Sequence, residues 1–402
     1  MSEWKELPAE EYCIKVADGT HDTPKPLEVG EYLITSKHIT SGKVDLSSAY
    51  RISNEDFAKI NIRSKVDRWD VLLTMIGTVG DVILVDHEPN YAIKNIGLFK
   101  CGNETKAKWL KYYLQSPDGK AEIQARLGGT TQEYIALGEL RKLPILFPPP
   151  AEQHAIVQVL SSLDDKIDLL HRQNKTLEGM AEALWRKMFV EGTEAGWEVL
   201  KLGDIAIVQN GFAFKSSQYV AFADGYLEVL KMGHIQPGGG LRTDPKTDYV
   251  PREDRLTKYV LSKGDIVMAM TDMKDNVVIL GNPAMIDIDD KYVLNQRVAR
   301  IYLKANDKLI NSHLLYVQLK DPEFISILQS KANSGVQVNL STESIKDCDI
   351  LIPLIDVQRE KGGTIIKVYL KKEHNDYQIR TLSRLRDTLL PKLMSGEVRV
   401  KG

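Results

Sequence analysis

The stretch that decides the fold is Ile156–Met188, which reads IVQVLSSLDDKIDLLHRQNKTLEGMAEALWRKM. Its apolar side chains recur at alternating spacings of four and three residues and form two interleaved rows. The first row is Ile156, Leu163, Leu170, Leu177 and Leu184, and the second is Leu160, Ile167, Asn174, Ala181 and Met188. This heptad repeat predicts a helix of about 48 Å, because an α-helix rises about 1.5 Å per residue. A helix cannot bury such a stripe on itself, so a partner helix is required.

The partner helix is predicted near the C-terminus of the sequence. There Thr381-Leu382 matches Thr176-Leu177, and Leu389 matches Leu184. Asn174 lies on the first seam. We interpret it as a polar residue that fixes the register of the pair, with a direct contact to a partner protein as the alternative.

The second helix has a poorer seam, where Lys372, Asn375 and Arg386 occupy positions that should be apolar. Gly362-Gly363 lie near its predicted beginning. Because each glycine costs about 1 kcal/mol in a helix interior, we expect this helix to start late or to fray. We expect Pro391 to kink it near its end.

The chain repeats itself. Asp70–Met75 (DVLLTM) matches Asp265–Met270 (DIVMAM), and further matches keep a constant offset: Pro117 with Pro322, Gln132 with Gln337, Pro148 with Pro353, and Gln153 with Gln358. Each repeat has the same predicted order. A β-rich segment precedes a short helical piece, at Lys106–Arg126 and at Asn311–Gln329, and then come a polar loop, an apolar run ending in proline and a long helix.

Composition leaves the function open. The 402 residues predict two or three domains, and the net charge of −2 argues against a generally basic nucleic-acid coat protein but not against a local basic face. Three scattered cysteines give no zinc pattern and favour a reduced, cytoplasmic protein. The first residues do not resemble a signal peptide, and no apolar run approaches the ~18 residues that a membrane span needs.

The motifs of common enzymes are absent from the sequence. There is no dinucleotide-binding or phosphate-binding glycine loop, no His-Glu-x-x-His and no Gly-x-Ser-x-Gly. The acidic run at Asp287, Asp289 and Asp290 lacks the glycine and glutamate of a calcium loop, so a solvated turn is the preferred interpretation. We therefore predict no catalytic residue, no cofactor and no metal site.

Several stretches together carry a resemblance to a known family. They are Asp18–Pro24 (DGTHDTP), Ile34–Ile39 (ITSKHI), Gly128–Gln132 (GGTTQ), Leu143–Ile145 (LPI) leading into Pro149–Gln153 (PPAEQ), Asn210–Ser217 (NGFAFKSS) and Leu385–Gly396 (LRDTLLPKLMSG). With these, essentially the whole chain resembles the specificity subunit of type I restriction–modification enzymes. The glycines upstream of the second helix depart from the family's pattern.

The resemblance implies an α+β fold with two similar β-rich target recognition domains in a pseudo-two-fold arrangement, joined by two long helices that form an antiparallel coiled coil. The implied boundaries are 1–150 and 193–355 for the two recognition domains, and 151–192 and 356–402 for the helices. Each recognition domain would read one half of a split, asymmetric site in double-stranded DNA. The helices would dock two adenine-N6 methyltransferase subunits, and motor–nuclease subunits would add cleavage. The chain itself would be non-catalytic.

Candidate DNA contacts are polar or basic residues of the predicted loops, since phosphates and base edges are bound by such side chains. In the first repeat they are Thr20, His21, Thr23, Lys37, His38, Arg63, Lys65, Thr131 and Gln132. In the second they are Asn210, Lys215, Ser216, Lys231, Arg242, Gln337 and Asn339. The plain alternative for most of them is an ordinary solvated loop residue. Phe212 and Phe214 are expected in the core rather than stacked on bases.

Two other functions remain open from the sequence. One is a stand-alone DNA nuclease or methyltransferase with divergent motifs, which would need Mg²⁺ or bind S-adenosylmethionine by itself. The other is a coiled-coil scaffold without a DNA role, which would show no salt-dependent binding to DNA.

The length of the helix yields a first prediction. Two readers on one face of a duplex sit about one turn apart, roughly 34–36 Å. If the helix sets this gap, deleting Leu163–Leu169 keeps the heptad phase and shortens the rod by ~10 Å, which is about three base pairs at ~3.4 Å each. Methylome sequencing should then show a correspondingly narrower gap between the half-sites. An unchanged gap contradicts the idea that the helix is a ruler.

Overall fold

The computed structural model describes residues 4–40, 42–129, 132–273, 277–305, 308–309, 311–334 and 337–400. The chain divides into two compact units. Unit 1 consists of Met1–Leu169 and Ile379–Gly402, and unit 2 consists of Leu170–Gln378. We call residues 4–149 the head of unit 1 and residues 191–354 the head of unit 2. Both long helices contribute residues to both units.

The head of unit 1 is built on an antiparallel sheet in the order β2-β10-β7-β8 and a second sheet in the order β6-β3-β9. Its strands are β1 (Lys5–Pro8), β2 (Lys15–Asp18), β3 (Glu31–Ile34), β4 (Ile39–Thr40), β5 (Lys43–Val44), β6 (Tyr50–Ile52), β7 (Asp70–Thr74), β8 (Val82–Leu84), β9 (Tyr91–Ile93), β10 (Ile96–Lys100) and β11 (Pro144–Phe147). Its helices are α1 (Ala9–Tyr12), α2 (Asn54–Ser64), α3 (Glu104–Gln115), α4 (Pro117–Gln124) and α5 (Leu137–Arg141). The long helix α6 (Pro150–Trp185) follows.

Strand β7 explains why this head has two layers of core. All of its residues are buried, and successive side chains of a strand point to opposite faces of the sheet. Val71 and Leu73 belong to a cluster with Trp109 of α3 and Ile156 of α6. Leu72 belongs to a separate cluster with residues of the second sheet.

The two main sheets of the head of unit 2 have the same topology, in the orders β13-β20-β16-β18 and β15-β14-β19. Its strands are β12 (Glu198–Lys201), β13 (Ala206–Asn210), β14 (Leu227–Leu230), β15 (Tyr249–Val250), β16 (Ile266–Ala269), β17 (Thr271–Met273), β18 (Pro283–Met285), β19 (Tyr292–Leu294), β20 (Val298–Leu303), β21 (Asn333–Ser334), β22 (Gln337–Asn339) and β23 (Asp349–Ile352). Its helices are α7 (Leu202–Ile205), α8 (Ser312–Leu319), α9 (Pro322–Ser330) and α10 (Thr342–Lys346). The long helix α11 (Ile355–Met394) follows.

The match between the heads extends to single residues. Ile266 and Met268 of β16 point into the core that contains α6, as Val71 and Leu73 of β7 do. Val267 of β16 points into the other cluster, as Leu72 does. The prediction of two similar β-rich domains is therefore confirmed.

The prediction of one short helical piece in each repeat is wrong in one respect, because the structure has two helices there. The break falls at Ser116 in unit 1 and at Asp321 in unit 2, and each residue caps the next helix through a side-chain oxygen. Pro117 and Pro322 then occupy the first turn, where a missing N–H costs nothing.

The expectation that the second long helix starts late is also wrong. Helix α11 is continuous from Ile355 through Gly362-Gly363, and it runs through Pro391 to Met394. Gly362 is buried, and a Cβ there would lie 2.9 Å from Leu314 Cδ1 of α8. The absence of a side chain at Gly362 thus lets α11 pack closely against α8, and this packing offsets the low helix propensity of glycine. Residue Pro391 falls in the last turn.

The two long helices pair in an antiparallel sense within each unit. In unit 2, Asn174 Nδ2 of α6 donates to Asp376 Oδ1 at 2.6 Å, and one turn further along α6 Glu178 lies 3.5 Å from Lys372. In unit 1, Arg386 Nη1 donates to Asp164 Oδ1 at 3.0 Å. The residue number thus rises on one helix as it falls on the other, and the predicted antiparallel coiled coil is confirmed.

The predicted seam residues are buried to different degrees. Leu160, Ile167, Leu170, Asn174, and Ala181 are buried. Leu163, Leu177, Leu184, Leu382 and Leu389 are half-buried. Helix α6 ends in a π-helical turn, Arg186–Val190, whose Phe189 stacks on Trp185 with ring centroids 4.7 Å apart. No helix among the described residues combines the length and the apolar character needed to cross a membrane.

The two glycines of α11 give a matched pair of predictions. A Cβ on Gly363 would meet no atom within 4 Å, so Gly363→Ala should raise the free energy of unfolding by about 0.5–1 kcal/mol. Gly362→Ala should gain less or lose, because the new methyl group displaces Leu314. Urea denaturation of the full chain measures both. Equal stabilisation by the two substitutions would show that close packing is not the reason for Gly362.

Glu373 of α11 gives a prediction on pH. Its Oε1 lies 2.8 Å from His313 Nε2, and its Oε2 lies 2.8 Å from Lys263 Nζ. Burial opposes the ionisation of Glu373, but the hydrogen bonds from His313 and Lys263 outweigh burial and lower its pKa from 4.5 to about 2. A depressed carboxyl pKa stabilises the folded state above the unfolded pKa, and this contribution is lost as pH falls through the folded pKa.

Glu373→Gln should therefore lower the free energy of unfolding at pH 7 by on the order of 2–3 kcal/mol. The difference from the unsubstituted chain should shrink as the pH falls from about 5 towards about 2. Urea denaturation at several pH values tests this. A difference that is as large at pH 3 as at pH 7 contradicts the assignment.

Candidate nucleic-acid interface

The loop after β2 in unit 1, Gly19–Pro24, packs tightly on the end of β9. A Cβ on Gly19 would lie 2.4 Å from the carbonyl oxygen of Ile93, so only glycine permits this approach. Thr20 N donates to Ile93 O at 3.0 Å, and Asn95 N donates to Thr20 O at 3.2 Å. These bonds fix the backbone of the loop while Thr20, His21 and Thr23 stay at least partly accessible.

Asp18 at the end of β2 positions two of the predicted contact residues. Its side chain is only 3% exposed, and its two oxygens are taken by Arg63 of α2 and by His21 Nε2, the latter at 2.9 Å. His21 Nδ1 lies 2.8 Å from Asn95 Oδ1. The side chains of Arg63 and His21 nevertheless remain 53% and 61% exposed. A buried carboxylate thus orients two side chains that are each more than half exposed.

A cleft of about 390 Å³ lies between this loop and α2. It is lined by Thr20, Asp22, Thr23, Pro24, Asp56, Lys59, Ile60, Arg63 and Ser64. Lys94 Nζ donates to Thr23 Oγ1. The lining combines cations, hydroxyls and carboxylates, so it can both donate and accept hydrogen bonds. The sequence predicts Thr20, Thr23 and Arg63 as contacts, and only the structure places them around one cleft.

The equivalent loop of unit 2 has the same backbone and different chemistry. A Cβ on Gly211 would lie 2.3 Å from the carbonyl oxygen of Asn295, and Phe212 N donates to Leu294 O at 2.8 Å. Where unit 1 has polar residues, Phe212 and Phe214 pack together at 4.8 Å between ring centroids and cover a core cluster. They lie where the sequence predicted them, on the core.

The predicted residues Asn210, Lys215 and Ser216 are exposed around the Gly211 loop. Arg255 was not predicted, because it lies in the segment Asp254–Tyr259, which has no motif. Its guanidinium carbon lies 5.4 Å from the centroid of the Phe212 ring. Only the three-dimensional fold brings Arg255 to the loop.

A short 3-10 turn follows β3 in unit 1 and β14 in unit 2, at Ser36–His38 and at Met232–His234. His38 is 6% exposed and His234 is 2% exposed. Each ring accepts a backbone N–H through Nδ1, from Thr35 in unit 1 and from Lys231 in unit 2. The histidines therefore fix the turn, and burial leaves His38 little surface for DNA. Lys37 on the same turn is exposed.

Lys231 and Arg242 lie on either side of the second histidine turn. Lys231 Nζ pairs with Asp248 and lies 3.9 Å from the centroid of the Tyr219 ring. Arg242 is exposed, and its Nε donates to Ile235 O at 3.3 Å. Both are cations held in place by the surrounding loop.

The remaining predicted residues are dispersed. Lys65 is exposed and pairs with Asp67 at 2.8 Å. Gln132 is exposed, and Gly128 and Tyr134 exchange two backbone hydrogen bonds close to it in the chain. Asn339 Oδ1 accepts a hydrogen bond from Thr271 Oγ1 at 3.0 Å. Thr131 lies outside the described residues. Gln337 lies on β22, with its backbone opposite Met273.

The fold and loops together define a duplicated α+β protein whose two heads carry unlike polar loops on a shared backbone. A family model described as the type I restriction modification DNA specificity domain matches residues 2–179 and again residues 194–378. The chain belongs to this family. Its members are the DNA-recognition components of type I restriction–modification systems and are not catalytic, so the prediction of a non-catalytic specificity subunit is confirmed.

Individual relatives agree with this assignment. The type I restriction enzyme MjaVIII specificity subunit of Methanocaldococcus jannaschii is 26% identical over 315 residues, covering 73% of this chain and 70% of the relative. The MjaIX specificity subunit of the same organism is 24% identical over 356 residues, covering 82% and 78%. The crystal structure of a type I restriction–modification S subunit from M. genitalium has a TM-score of 0.55 at 18% identity, covering 98% of this chain and 96% of that one. This last likeness is one of fold.

Proposed function

We propose that residues 1–150 and 193–355 are target recognition domains, and that each reads one half of a split, asymmetric site in double-stranded DNA. The observation that carries this proposal is the pair of glycine loops. Gly19 and Gly211 hold the same backbone against the end of a strand, yet the accessible side chains beside them differ. They are Thr20, His21 and Thr23 in unit 1, and Asn210, Lys215 and Ser216 in unit 2. Base edges are distinguished by the side chains presented to them, so unlike loops on a shared backbone favour unlike half-sites.

The long helices, implied by resemblance to span 151–192 and 356–402, would serve as the docking surface for two methyltransferase subunits, with motor–nuclease subunits added for cleavage. Apolar side chains on the outer faces of these helices support this role. Leu370 and Tyr377 lie seven residues apart on α11 and are 50% and 62% exposed, and Met180 on α6 is 48% exposed. Exposed apolar side chains on one face of a helix are typical of protein interaction surfaces.

We place this assembly in the cytoplasm. Cys13, Cys101 and Cys348 are unpaired and buried, which is consistent with a reducing compartment. No cofactor is assigned to the chain itself, so methyl transfer and cleavage would belong to its partners.

The proposed function predicts a defined pattern of methylation. A host that carries the full chain with its cognate methyltransferase should acquire N6-methyladenine at a motif of two unlike half-sites separated by a fixed gap. The methyltransferase without this chain is the control and should leave that motif unmethylated. Binding of the purified assembly to a duplex with the motif should weaken steeply as salt rises, because phosphate contacts release counterions.

Two results would contradict the proposal. One is a continuous or palindromic motif, which a pair of unlike heads does not explain. The other is binding of S-adenosylmethionine, or Mg²⁺-dependent cleavage of DNA, by the purified chain alone, which would favour the enzyme alternative.

A further inference from the structure

Each head holds one half-exposed arginine beside its glycine loop, and in each case a carboxylate fixes the guanidinium group. In unit 1 the arginine is Arg63, and in unit 2 it is Arg255. Both side chains are 53% exposed. The two arginines come from the segments that follow β6 and β15, α2 and the 3-10 segment Asp254–Tyr259 respectively. The feature is therefore repeated although the sequences differ.

Both the side chain and the backbone of Arg63 are held by other residues. Its guanidinium group contacts Asp18 Oδ1, and Asp18 is buried at the end of β2, which pairs with β10 of the sheet. The backbone of Arg63 is held as well, since Lys15 Nζ donates to its carbonyl oxygen at 2.7 Å. Arg63 also lines the cleft between α2 and the Gly19 loop.

Arg255 is also held in place, but by a neighbouring glutamate and an aromatic ring. Its Nε and Nη2 donate to the two oxygens of Glu253, at 2.6 Å and 3.1 Å. Its guanidinium carbon lies over the ring of Phe212, the residue next to Gly211. A bidentate carboxylate and an aromatic face together limit the orientations of a side chain that otherwise loses considerable entropy on binding.

Carboxylates beside the two arginines favour base edges over phosphates as their target. Asp22 and Asp56 line the cleft beside Arg63 and offset the charge of Lys59 there, and Glu253 and Asp254 adjoin Arg255. These carboxylates would repel a phosphate but can accept hydrogen bonds from the amino group of cytosine. A planar guanidinium fork matches the O6 and N7 acceptors of guanine in the major groove.

We propose that Arg63 and Arg255 are specificity-determining residues, one for each head, and that each reads the guanine of a G·C pair in its own half-site. Asp18 and Glu253 are positioning residues that hold the two guanidinium groups. This inference rests on the proposed function, because it needs a DNA duplex against both heads.

The experiment uses the full chain with its cognate methyltransferase and compares methylomes of hosts that carry single variants. In Arg63→Gln, one position of one half-site should lose its requirement for guanine, and in Arg255→Gln one position of the other half-site should do so. The preference for guanine over other bases should fall roughly tenfold to a hundredfold at that position, because one bidentate contact discriminates to about this extent. All other positions should be unchanged.

Matched controls lie close by in the chain. Arg68 is exposed over the ring of Trp69 in unit 1, and Arg252 pairs with the exposed Asp290 in unit 2. Arg68→Gln and Arg252→Gln remove the same charge from the same head and should leave the motif intact. Arg63→Lys and Arg255→Lys keep a cation opposite the carboxylate but lack the planar fork. They should weaken the requirement for guanine at the same two positions to a smaller extent. If a glutamine variant fails to fold, the lysine variant of the same arginine tests the assignment.

The outcomes separate this inference from the proposed function. If the unsubstituted chain directs methylation to no split motif, the proposed function fails. If it does so but either half-site lacks a G·C pair, or the arginine variants keep the motif unaltered, only the assignment of Arg63 and Arg255 fails. A uniform loss of methylation with an unaltered motif and a weaker salt dependence would indicate phosphate contacts and would also overturn the assignment.

Discussion

The pairing of α6 with α11 is the constraint on which the rest of the structure depends. The apolar stripe of α6 is longer than any one head can cover, so it is buried against a second helix. In unit 1, Ile156 and Leu160 of α6 and Leu393 of α11 belong to the same cluster as the central sheet of the head. In unit 2, Trp185 of α6 and Tyr369 of α11 do the same. The core of each head is thus continuous with the helical pair, and neither head is complete without it.

Charged and polar groups then decide how the helices meet. Asp164 is shared by Lys111, Tyr112 and Arg386 in unit 1. Burial opposes its ionisation, yet the neighbouring cations hold the pKa of Asp164 below its usual value. In unit 2, Asn174 contacts both Asn375 and Asp376. Buried polar groups that find partners in only one alignment favour that register over its neighbours, as in other coiled coils, at some cost in stability.

The heads show how one backbone can carry two chemistries. The close approach of Gly19 and Gly211 to a carbonyl oxygen fixes the path of each loop, because any side chain at that position would collide with the neighbouring backbone. The residues beyond the glycine are then free to differ. Carboxylates at Asp18 and Glu253 orient an arginine beside each loop without dictating what the rest of the loop contains. A duplicated scaffold with unlike loops is what recognition of two unlike half-sites requires.

The sequence by itself determined the duplication, the heptad seam and the family, because these follow from spacing along the chain. It also pointed to the Asp18–Pro24 and Asn210–Ser217 loops. Tertiary structure alone decided that α11 continues through Gly362, since Leu314 comes from another helix. It alone made His38 a buried support for a turn, and brought Arg255 to the Gly211 loop. The physical reason is the same in each case: burial and hydrogen bonding between residues far apart in the chain outweigh local propensity, and a linear sequence does not display such partners.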